Sequence, residues 1–419
     1  MNRFLYSLII GLSIPFALLK ILLKDSHDPS WKVKLKNQLG LVQKISGKVI
    51  WIHCVSVGEF NASKPLVDEF LHKYPTHKIV ISTTTITGSL AVKNHYKDKV
   101  SHCFFPFDSA LILRSFINNI KPQICVLMET EIWPNLISLL HRKNIPAALV
   151  NARLSEKSFH NYQKFSQKLV SDSLKKLTLI CSQNTFSSER LIKLGADKEN
   201  LMTTGSLKFD MNDSIDVDLI KSLKEMTDKR SVVVFASTRA GEEQLIIESY
   251  LKYKSQFNSL LLIVPRHPER FEEATNIAIN AGLKVKRRSQ GEKCSQDIEV
   301  LIGDSMGEMM AYYSICDIAF IGGSLTENGC QNMLEAASLS RPIIFGPSVY
   351  NFEEISKQLL ENDAAIQVAN ADALMMTITE LMSNEARRSM LGANARKVFE
   401  DNQGAVKNVL SAIKPYIKA

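Results

Sequence analysis

The feature that most constrains the fold is a regular alternation, from residue 48 onward, of short strand-like runs with amphipathic segments of helix length. Such alternation is typical of right-handed βαβ units and of a mainly parallel sheet. The predicted strands are 49–57, 78–84, 103–106, 124–129, 147–151 and 177–182, then 231–236, 260–265, 299–303, 317–323 and 342–346. We therefore predict an α/β chain with two doubly wound, Rossmann-like domains.

The length of the chain supports this division, because 419 residues exceed what one hydrophobic core usually organises. The alternation falters over the polar segment 210–230, which we interpret as a linker. The predicted parts are an anchor (1–24), an N-terminal domain (25–210), a C-terminal domain (211–400) and a final helix (401–419). Two such sheets imply a cleft between their carboxyl edges, bordered by loops such as 108–120.

The N-terminal segment 4–23 is apolar and contains only one charged residue, Lys20. Its 20 residues are near the minimum that crosses a bilayer, and Pro15 with Lys20 leaves a monotopic arrangement open. A cleaved signal peptide is the less favoured alternative, because no small-x-small site follows. Lysines are frequent after the segment and Arg3 alone precedes it, which predicts one N-terminal anchor with the main body in the cytosol.

The formal net charge is +8, and much of the excess lies just after the apolar segment. A basic stretch beside an anchor favours contact with anionic lipid of the membrane. Nucleic acid is not expected as a partner, because neither zinc-finger spacing nor an RNA-binding aromatic signature occurs. The lysines concerned are Lys24, Lys32, Lys34, Lys36, Lys44 and Lys48.

Cysteine and histidine usage predicts neither disulfides nor a metal. The seven cysteines include no Cys-x-x-Cys pair, which fits a reducing cytosol, and the nine histidines form no metal-binding motif. Neither a Gly-x-Gly-x-x-Gly nor a phosphate-binding P-loop motif occurs. We expect no cofactor. Gly322, Gly323 and Ser324 form a weaker signal, either an anion-binding turn before a helix or a plain turn.

Nine polar clusters occur at or near the ends of strand-like runs in both halves of the chain. One cluster alone would be a helix cap, but nine at strand ends indicate a long polar cleft. The clusters are Ser56 with Glu59, then 83–89, 129–131, 151–153, 205–208, 237–239, 266–267, 303–308 and 322–324. Glu59 is the most informative member, since a carboxylate at the carboxyl end of a strand suits a general base. Its structural alternative is a glutamate favoured by the helix dipole.

Six sequence blocks, in order over nearly the whole chain, resemble the bacterial 3-deoxy-D-manno-octulosonic acid (Kdo) transferases of lipopolysaccharide assembly. The blocks are Val55-Ser-Val-Gly-Glu59, Glu129-Thr-Glu-Ile-Trp-Pro-Asn135, Asn151-Ala-Arg-Leu-Ser155, Thr204-Gly-Ser-Leu-Lys-Phe-Asp210, Val264-Pro-Arg-His-Pro-Glu-Arg270 and Gly303-Asp-Ser-Met-Gly-Glu308. The resemblance implies a GT-B glycosyltransferase that moves Kdo from CMP-Kdo to the lipid A precursor at the cytoplasmic face of the inner membrane. It also implies an inverting reaction without a metal ion.

The resemblance implies roles for individual residues. Glu59 matches the catalytic base, and Glu129 and Lys208 match residues that stabilise the transition state. Glu131 is the rival of Glu129, because side chains two residues apart on a strand share a face. The residues that match the CMP site are Pro265, Arg266, Met306, Gly307, Glu308, Asn332, Met333, Leu334 and Glu335.

The block Gly329-Cys-Gln-Asn-Met-Leu-Glu335 departs from the family pattern Gly-Gly-His-Asn-Pro-Leu-Glu. Gln331 replaces the histidine and cannot become cationic, so a histidinium role toward phosphate is in doubt here. Met333 replaces the proline, and Ser348 stands where a histidine is common. The alternatives left open are a GT-B enzyme with another nucleotide-sugar donor and a non-catalytic member that binds lipid.

Overall fold

The computed structural model describes residues 1–25, 27–211 and 215–418. It divides into two compact units, the first formed by Met1–Met211 with Gln403–Ala419 and the second by Asn212–Asn402. Each unit contains a parallel sheet with helices between its strands. The predicted pair of doubly wound α/β domains is confirmed.

The first unit is built on a parallel sheet in the order β3-β2-β1-β4-β5-β6-β7. Its strands are β1 (Val49–His53), β2 (Lys78–Thr83), β3 (Ser101–Phe104), β4 (Pro122–Met128), β5 (Ala147–Ala152), β6 (Leu179–Ser182) and β7 (Leu201–Thr203). All of β1 is buried, as expected for a strand covered on both faces. Trp51 packs into one core cluster while Ile50 and Ile52 pack into the other, so alternate side chains fill the two faces.

Helices cover the sheet of the first unit, and their bounds fix where the loops at its carboxyl edge lie. They are α1 (Arg3–Lys24), α2 (Trp31–Gln38), α3 (Val57–Lys73), α4 (Ile86–Tyr96), α5 (Ala110–Ile120), α6 (Pro134–Arg142), α7 (Glu156–Leu174) and α8 (Thr185–Lys193). A short 3₁₀ helix, Leu207–Asp210, follows the last strand. Each βα loop thus opens at the same edge of the sheet.

The second unit has a parallel sheet in the order β10-β11-β9-β8-β12-β13-β14. Its strands are β8 (Val232–Thr238), β9 (Leu260–Pro265), β10 (Val285–Arg287), β11 (Val300–Ile302), β12 (Ile318–Ile321), β13 (Ile343–Phe345) and β14 (Ala365–Gln367). Its helices are α9 (Val217–Met226), α10 (Glu242–Tyr253), α11 (Phe271–Asn280), α12 (Met309–Ile315), α13 (Leu334–Ser338), α14 (Glu353–Glu361), α15 (Ala371–Ser383) and α16 (Glu385–Asp401).

The strand order reverses once in each sheet, between β1 and β4 in the first and between β8 and β12 in the second. In open α/β sheets, ligands bind outside the carboxyl ends of the strands at this switch point. The topology therefore directs attention to the loops after β1 and β4, and to those after β8 and β12.

Several sequence expectations need correction. The segment 108–120, expected as a loop, contains helix α5, whose apolar side chains Leu113, Phe116, Ile117 and Ile120 are buried. The polar segment 210–230, expected as a linker, contains helix α9, which buries Leu223 and Met226 in the second unit. Three strands of three residues, β7, β10 and β14, were missed because partly exposed edge strands lack a continuous apolar run.

Helix α1 is long and apolar enough to cross a membrane, and only 6% of its most apolar window is buried. Its outward side chains include Phe4 and Phe16, which are 81% and 75% exposed. Tyr6 and Ser7 attach the helix to the rest of the unit. The Tyr6 hydroxyl donates to Asp108 Oδ2 (2.9 Å), and the Ser7 hydroxyl donates to Asn135 Oδ1 (2.9 Å) at the start of α6.

The basic stretch after α1 is less available to lipid than the sequence suggested. Lys34 is buried within α2, and its ammonium pairs with Asp25 at 2.7 Å. Because its ammonium is held in this buried ion pair, Lys34 is not available to bind a lipid head group, although the sequence predicted that it would be. Lys32 and Lys36 remain exposed on the same helix.

The segment 401–419, predicted as a final helix, contains α17 (Ala405–Ile413), which follows α16 and belongs to the first unit. Asp210 holds the start of α17, where its carboxylate accepts hydrogen bonds from the backbone N–H groups of Gly404 (2.6 Å) and Val406. Such a carboxylate satisfies donors that the helix itself leaves unpaired. Asp210 thereby attaches the C-terminal helix α17 to the rest of the first unit.

We predict that Asp210→Ala lowers the free energy of unfolding of the first unit by about 1–2 kcal/mol, because the α17 terminus loses its acceptor. The measurement is the urea midpoint by tryptophan fluorescence, which reports this unit alone because it contains Trp31, Trp51 and Trp133. Asp401→Ala, which removes an exposed aspartate at the end of α16, is the control. Equal midpoints for the two variants would contradict the assignment.

Candidate active site

Glu59 lies in the first turn of α3, directly after the carboxyl end of β1. Ser56 caps this helix and accepts from the Glu59 backbone N–H (3.4 Å), as a serine N-cap does. The Glu59 carboxylate accepts from the backbone N–H of Val55 (2.7 Å) and from the Ser56 hydroxyl (3.2 Å). These bonds fix the side chain at the switch point of the sheet, and they show that Glu59 also stabilises the helix start.

Burial raises the pKa of Glu59 to about 7, and the negative charges of Glu131 and Glu129 add to this shift. The Val55 N–H and the Ser56 hydroxyl act in the opposite direction, because they stabilise the ionised form. A carboxyl group with this pKa exchanges protons near neutral pH. General bases work best when their pKa lies near the working pH.

The loop after β4 contains the other two carboxylates. Glu129 has a φ of +55°, a left-handed conformation that is uncommon for a residue with a side chain. The backbone is held there because the Glu129 N–H donates to the Val150 carbonyl (2.8 Å) and the Thr130 hydroxyl donates to the Arg153 carbonyl. Because β4 ends at Met128, Glu129 and Glu131 do not lie on a strand, and the expectation that their side chains share a face of the sheet does not apply.

In the sequence analysis Glu131 was only an alternative to Glu129, whereas in the structure Glu131 has a raised pKa and also raises the pKa of Glu59. Burial, with a smaller contribution from the charge of Glu129, raises the pKa of Glu131 to about 7. The charge of Glu131 also raises the pKa of Glu59 more than the charge of Glu129 does. The structure thus brings three glutamates together after β1 and β4, and their shared position at a switch point was the signal available in the sequence.

Lys208 lies in the 3₁₀ helix Leu207–Asp210, which packs against α3 and so lies beside the helix that carries Glu59. Asn151 places this segment, because its side-chain oxygen accepts from the Leu207 backbone N–H (3.0 Å). Asn151 is fully buried in β5 and has a φ of +57°. The predicted residues Glu59, Glu129 and Lys208 therefore all lie at the carboxyl edge of the first sheet.

Pro265 and Arg266 lie at the carboxyl end of β9 in the second unit. The Arg266 backbone N–H donates to the Thr238 carbonyl (3.0 Å), which ties the segment to the end of β8. The Arg266 side chain is half-buried. A guanidinium in this position is suited to bind phosphate oxygens.

The segment Met306, Gly307 and Glu308 follows β11, and Glu308 precedes α12. Its carboxylate accepts from the hydroxyls of Ser305 (2.7 Å) and Tyr312 (3.1 Å) and pairs with Arg288 (3.2 Å). These partners fix Glu308 and neutralise its charge. Met306 is exposed and Gly307 has a φ of +82°, so the turn presents backbone next to solvent.

The last predicted CMP segment divides into two kinds of residue. Met333 and Leu334 are fully buried, so only their backbone atoms could contact a ligand. Asn332 donates to Glu335 Oε1 (3.0 Å) and accepts from the Leu334 backbone N–H (3.1 Å). Glu335 lies in the first turn of α13.

Of the two alternatives for Gly322, Gly323 and Ser324, the structure favours a plain turn over an anion-binding turn before a helix. No helix follows directly, since α13 begins at Leu334. The backbone N–H of Gly323 donates to the carboxylate of Glu242 (2.6 Å), as does that of Leu325 (2.9 Å). An internal carboxylate therefore occupies the place where an external anion was expected.

Among residues 1–25, 27–211 and 215–418, no three His, Cys, Asp or Glu side chains form a group that could hold a metal ion.

Two family models match the chain. The model described as 3-deoxy-D-manno-octulosonic-acid transferase matches residues 33–211, and the model described as glycosyl transferases group 1 matches residues 239–398. The first match lies within the unit that contains Glu59 and the second within the unit that contains Arg266.

The chain is similar to several proteins named 3-deoxy-D-manno-octulosonic acid transferase. It is 36% identical to the one from Haemophilus influenzae, over 100% of this chain and 99% of that one. It is 32% identical to the one from Rickettsia typhi, over 91% and 83% of the two chains, and 31% identical to the one from Bordetella pertussis, over 88% and 87%.

Solved structures share the fold at low sequence identity. A UDP-GlcNAc 2-epimerase from Neisseria meningitidis superimposes with a TM-score of 0.59 at 13% identity, over 88% of this chain and all of that one. A glycosyltransferase from Rickettsia africae gives a TM-score of 0.57 at 14% identity, over 89% of this chain and all of that one. The predicted GT-B fold is thus confirmed. The chain belongs to the family of 3-deoxy-D-manno-octulosonic acid (Kdo) transferases and is a glycosyltransferase.

Proposed function

We propose that this enzyme transfers Kdo from CMP-Kdo to the lipid A precursor, with Glu59 as the general base. In the proposed reaction, Glu59 takes the proton of an acceptor hydroxyl while that oxygen forms a bond to the anomeric carbon of Kdo. The bond from this carbon to the CMP phosphate oxygen breaks, and CMP leaves with the bonding electrons. Attack opposite the departing phosphate inverts the anomeric configuration.

The observation that carries the proposal is the position of Glu59, whose half-buried carboxylate lies at the switch point of the first sheet near Glu129 and Glu131. Burial, together with the charges of these two neighbours, raises its pKa to about 7. A glutamate that only capped α3 would be stabilised in its ionised form, and its pKa would fall. The opposite shift, at a switch point of an α/β sheet, is typical of a residue that exchanges protons in a binding site.

The neighbouring groups fit the charges that develop. Positive charge develops at the anomeric carbon as CMP departs, and the negative charges of the Glu129 and Glu131 carboxylates would stabilise it. The ammonium of Lys208 is suited to the negative charge on the departing phosphate. In the second unit, Arg266 is suited to hold the donor phosphate.

Helix α1 supports a lipid-borne acceptor at the cytoplasmic face of the inner membrane. Its exposed apolar side chains would enter the bilayer, and its first turns are bonded to Asp108 and Asn135 of the catalytic unit. Asn135 lies four residues after Glu131. An anchor attached this close to the carboxylates would bring them to the surface of a membrane that contains the acceptor and anionic lipid.

We predict that Glu59→Gln lowers the rate of Kdo transfer by about 10²- to 10⁴-fold, because the amide cannot take the proton. The glutamine retains an oxygen that can accept the Val55 N–H, so the unfolding midpoint should change little. The measurement is mass spectrometry of the lipid product after incubation with CMP-Kdo and the lipid A precursor.

Glu69→Gln is the matched control, since Glu69 lies on the same helix and forms only a partly exposed ion pair with Lys73. It should transfer Kdo at the wild-type rate. Undiminished transfer by folded Glu59→Gln would contradict the role of Glu59. No mass increase with folded wild-type protein would contradict the donor or the acceptor.

We predict that kcat/KM for transfer is constant above pH 8 and falls tenfold per pH unit below about pH 7. The sign follows from the requirement for ionised Glu59, which is lost as the pH falls through its raised pKa. A pH profile measured with the acceptor well below its KM tests this, because kcat/KM then reports the pKa of the free enzyme. A decline that begins near pH 4.5, the ordinary value for glutamate, would contradict it.

We predict that Glu131→Gln moves this decline to lower pH, because removal of a neighbouring negative charge favours ionised Glu59. Glu129→Gln should move it less, since the charge of Glu131 has the larger effect on the pKa of Glu59. The two pH profiles are compared directly. Equal shifts, or a shift to higher pH, would contradict this reading of the cluster.

A further inference from the structure

The half-buried arginines of the second unit differ in what they bind. Arg270, Arg287, Arg288, Arg387 and Arg396 pair with carboxylates, and Arg230, Arg341 and Arg388 donate to backbone carbonyls. Among residues 215–402, Arg239 and Arg266 have side chains with neither kind of partner. A partly buried charge without a counter-ion is unfavourable, so these two guanidiniums indicate a place that an anion fills.

Arg239 lies just after the carboxyl end of β8, beside the switch point of the second sheet. Its guanidinium donates to Nε2 of His267, the residue that follows Arg266. Burial and then the charge of Arg239 lower the pKa of His267, which keeps the imidazole neutral and able to accept this bond. The contact orients Arg239 toward the β9 loop without neutralising its charge.

Glu242 fixes the backbone on which Arg239 is mounted. It is fully buried, and its carboxylate accepts from the backbone N–H groups of Arg239 (2.8 Å), Gly323 (2.6 Å) and Leu325 (2.9 Å). The carboxylate thereby joins the loop after β8 to the loop after β12. The amides of Gly323 and Leu325 are therefore already used by Glu242.

Gly323 is the point at which these loops meet the predicted CMP segment. A Cβ added there would lie 2.3 Å from the Gly329 carbonyl oxygen, 3.1 Å from Gln331 Nε2 and 3.4 Å from Arg239 Cγ. Its φ of +75° also requires glycine. The Arg239 side chain and Gln331 therefore both lie next to Gly323, whose backbone N–H donates to Glu242.

We propose that Arg239 binds the phosphate of the nucleotide donor and that Glu242 is the positioning residue that aims it. The inference rests on the proposed function for the identity of the donor, and it adds a residue to the phosphate site. With the Gly323 and Leu325 amides committed to Glu242, a guanidinium provides the recognition that free backbone N–H groups provide in glycine-rich loops. It also provides a permanent positive charge close to Gln331, which cannot carry one.

The test compares CMP with cytidine, which lacks the phosphate, by titration calorimetry of the full chain in detergent. Arg239→Gln should weaken CMP binding by about 10- to 100-fold, as expected for the loss of a charged hydrogen-bond donor, and leave cytidine binding unchanged. A merely structural role would weaken both ligands together. Glu242→Gln should also lower the preference for CMP over cytidine, because the backbone that carries Arg239 is then held less firmly.

Glu243→Gln is the matched control, because Glu243 is equally buried but binds the Thr238 hydroxyl (2.8 Å) and Arg270 (2.8 Å) instead of the Gly323 loop. It should lower stability and preserve the preference for CMP. An unchanged ratio of the two affinities in Arg239→Gln would overturn this inference alone. A wild-type protein that binds neither ligand would overturn the donor assignment as well.

Discussion

The carboxylate of Glu59 is held where water is scarce and where two other carboxylates are close, and the chemistry proposed for the first unit depends on this arrangement. Ionised groups in such a place are unfavourable unless hydrogen bonds compensate. The Val55 N–H and the Ser56 hydroxyl compensate only in part, since the pKa still rises to about 7. The parallel sheet imposes this crowding, because it brings the loops after β1 and β4 together at one edge.

The second unit also brings loops together at the carboxyl edge of its sheet, but these loops carry positively charged side chains. The loops after β8, β9 and β12 bring Arg239 and Arg266 to one edge of the sheet, while the buried carboxylate of Glu242 organises the backbone beneath them. The first unit thus gathers groups suited to taking a proton, and the second gathers groups suited to binding phosphate. This division matches a reaction in which an acceptor loses a proton and a nucleotide departs.

The sequence predicted the parts of the structure that follow from continuous apolar runs. The buried strand at Val49–His53 and the polar residues after it were visible because a strand covered on both faces has an uninterrupted apolar pattern. The three-residue edge strands and helix α5 were missed, because partial burial and tertiary packing decide them. Glu242 was missed for a related reason. On its own it is an ordinary glutamate in the first turn of a helix, and its partners at Gly323 and Leu325 are some 80 residues away.

The fold raises the pKa of Glu59 into the range in which a base can act near neutral pH. Infrared spectroscopy of protein labelled with ¹³C-glutamate, titrated from pH 4 to 9, measures this directly, and the difference from Glu59→Gln identifies the band. We expect a carboxyl group that ionises near pH 7 and is absent from the variant. Ionisation of Glu59 near pH 4.5 would contradict it, and would leave Glu59 as the cap of α3 alone.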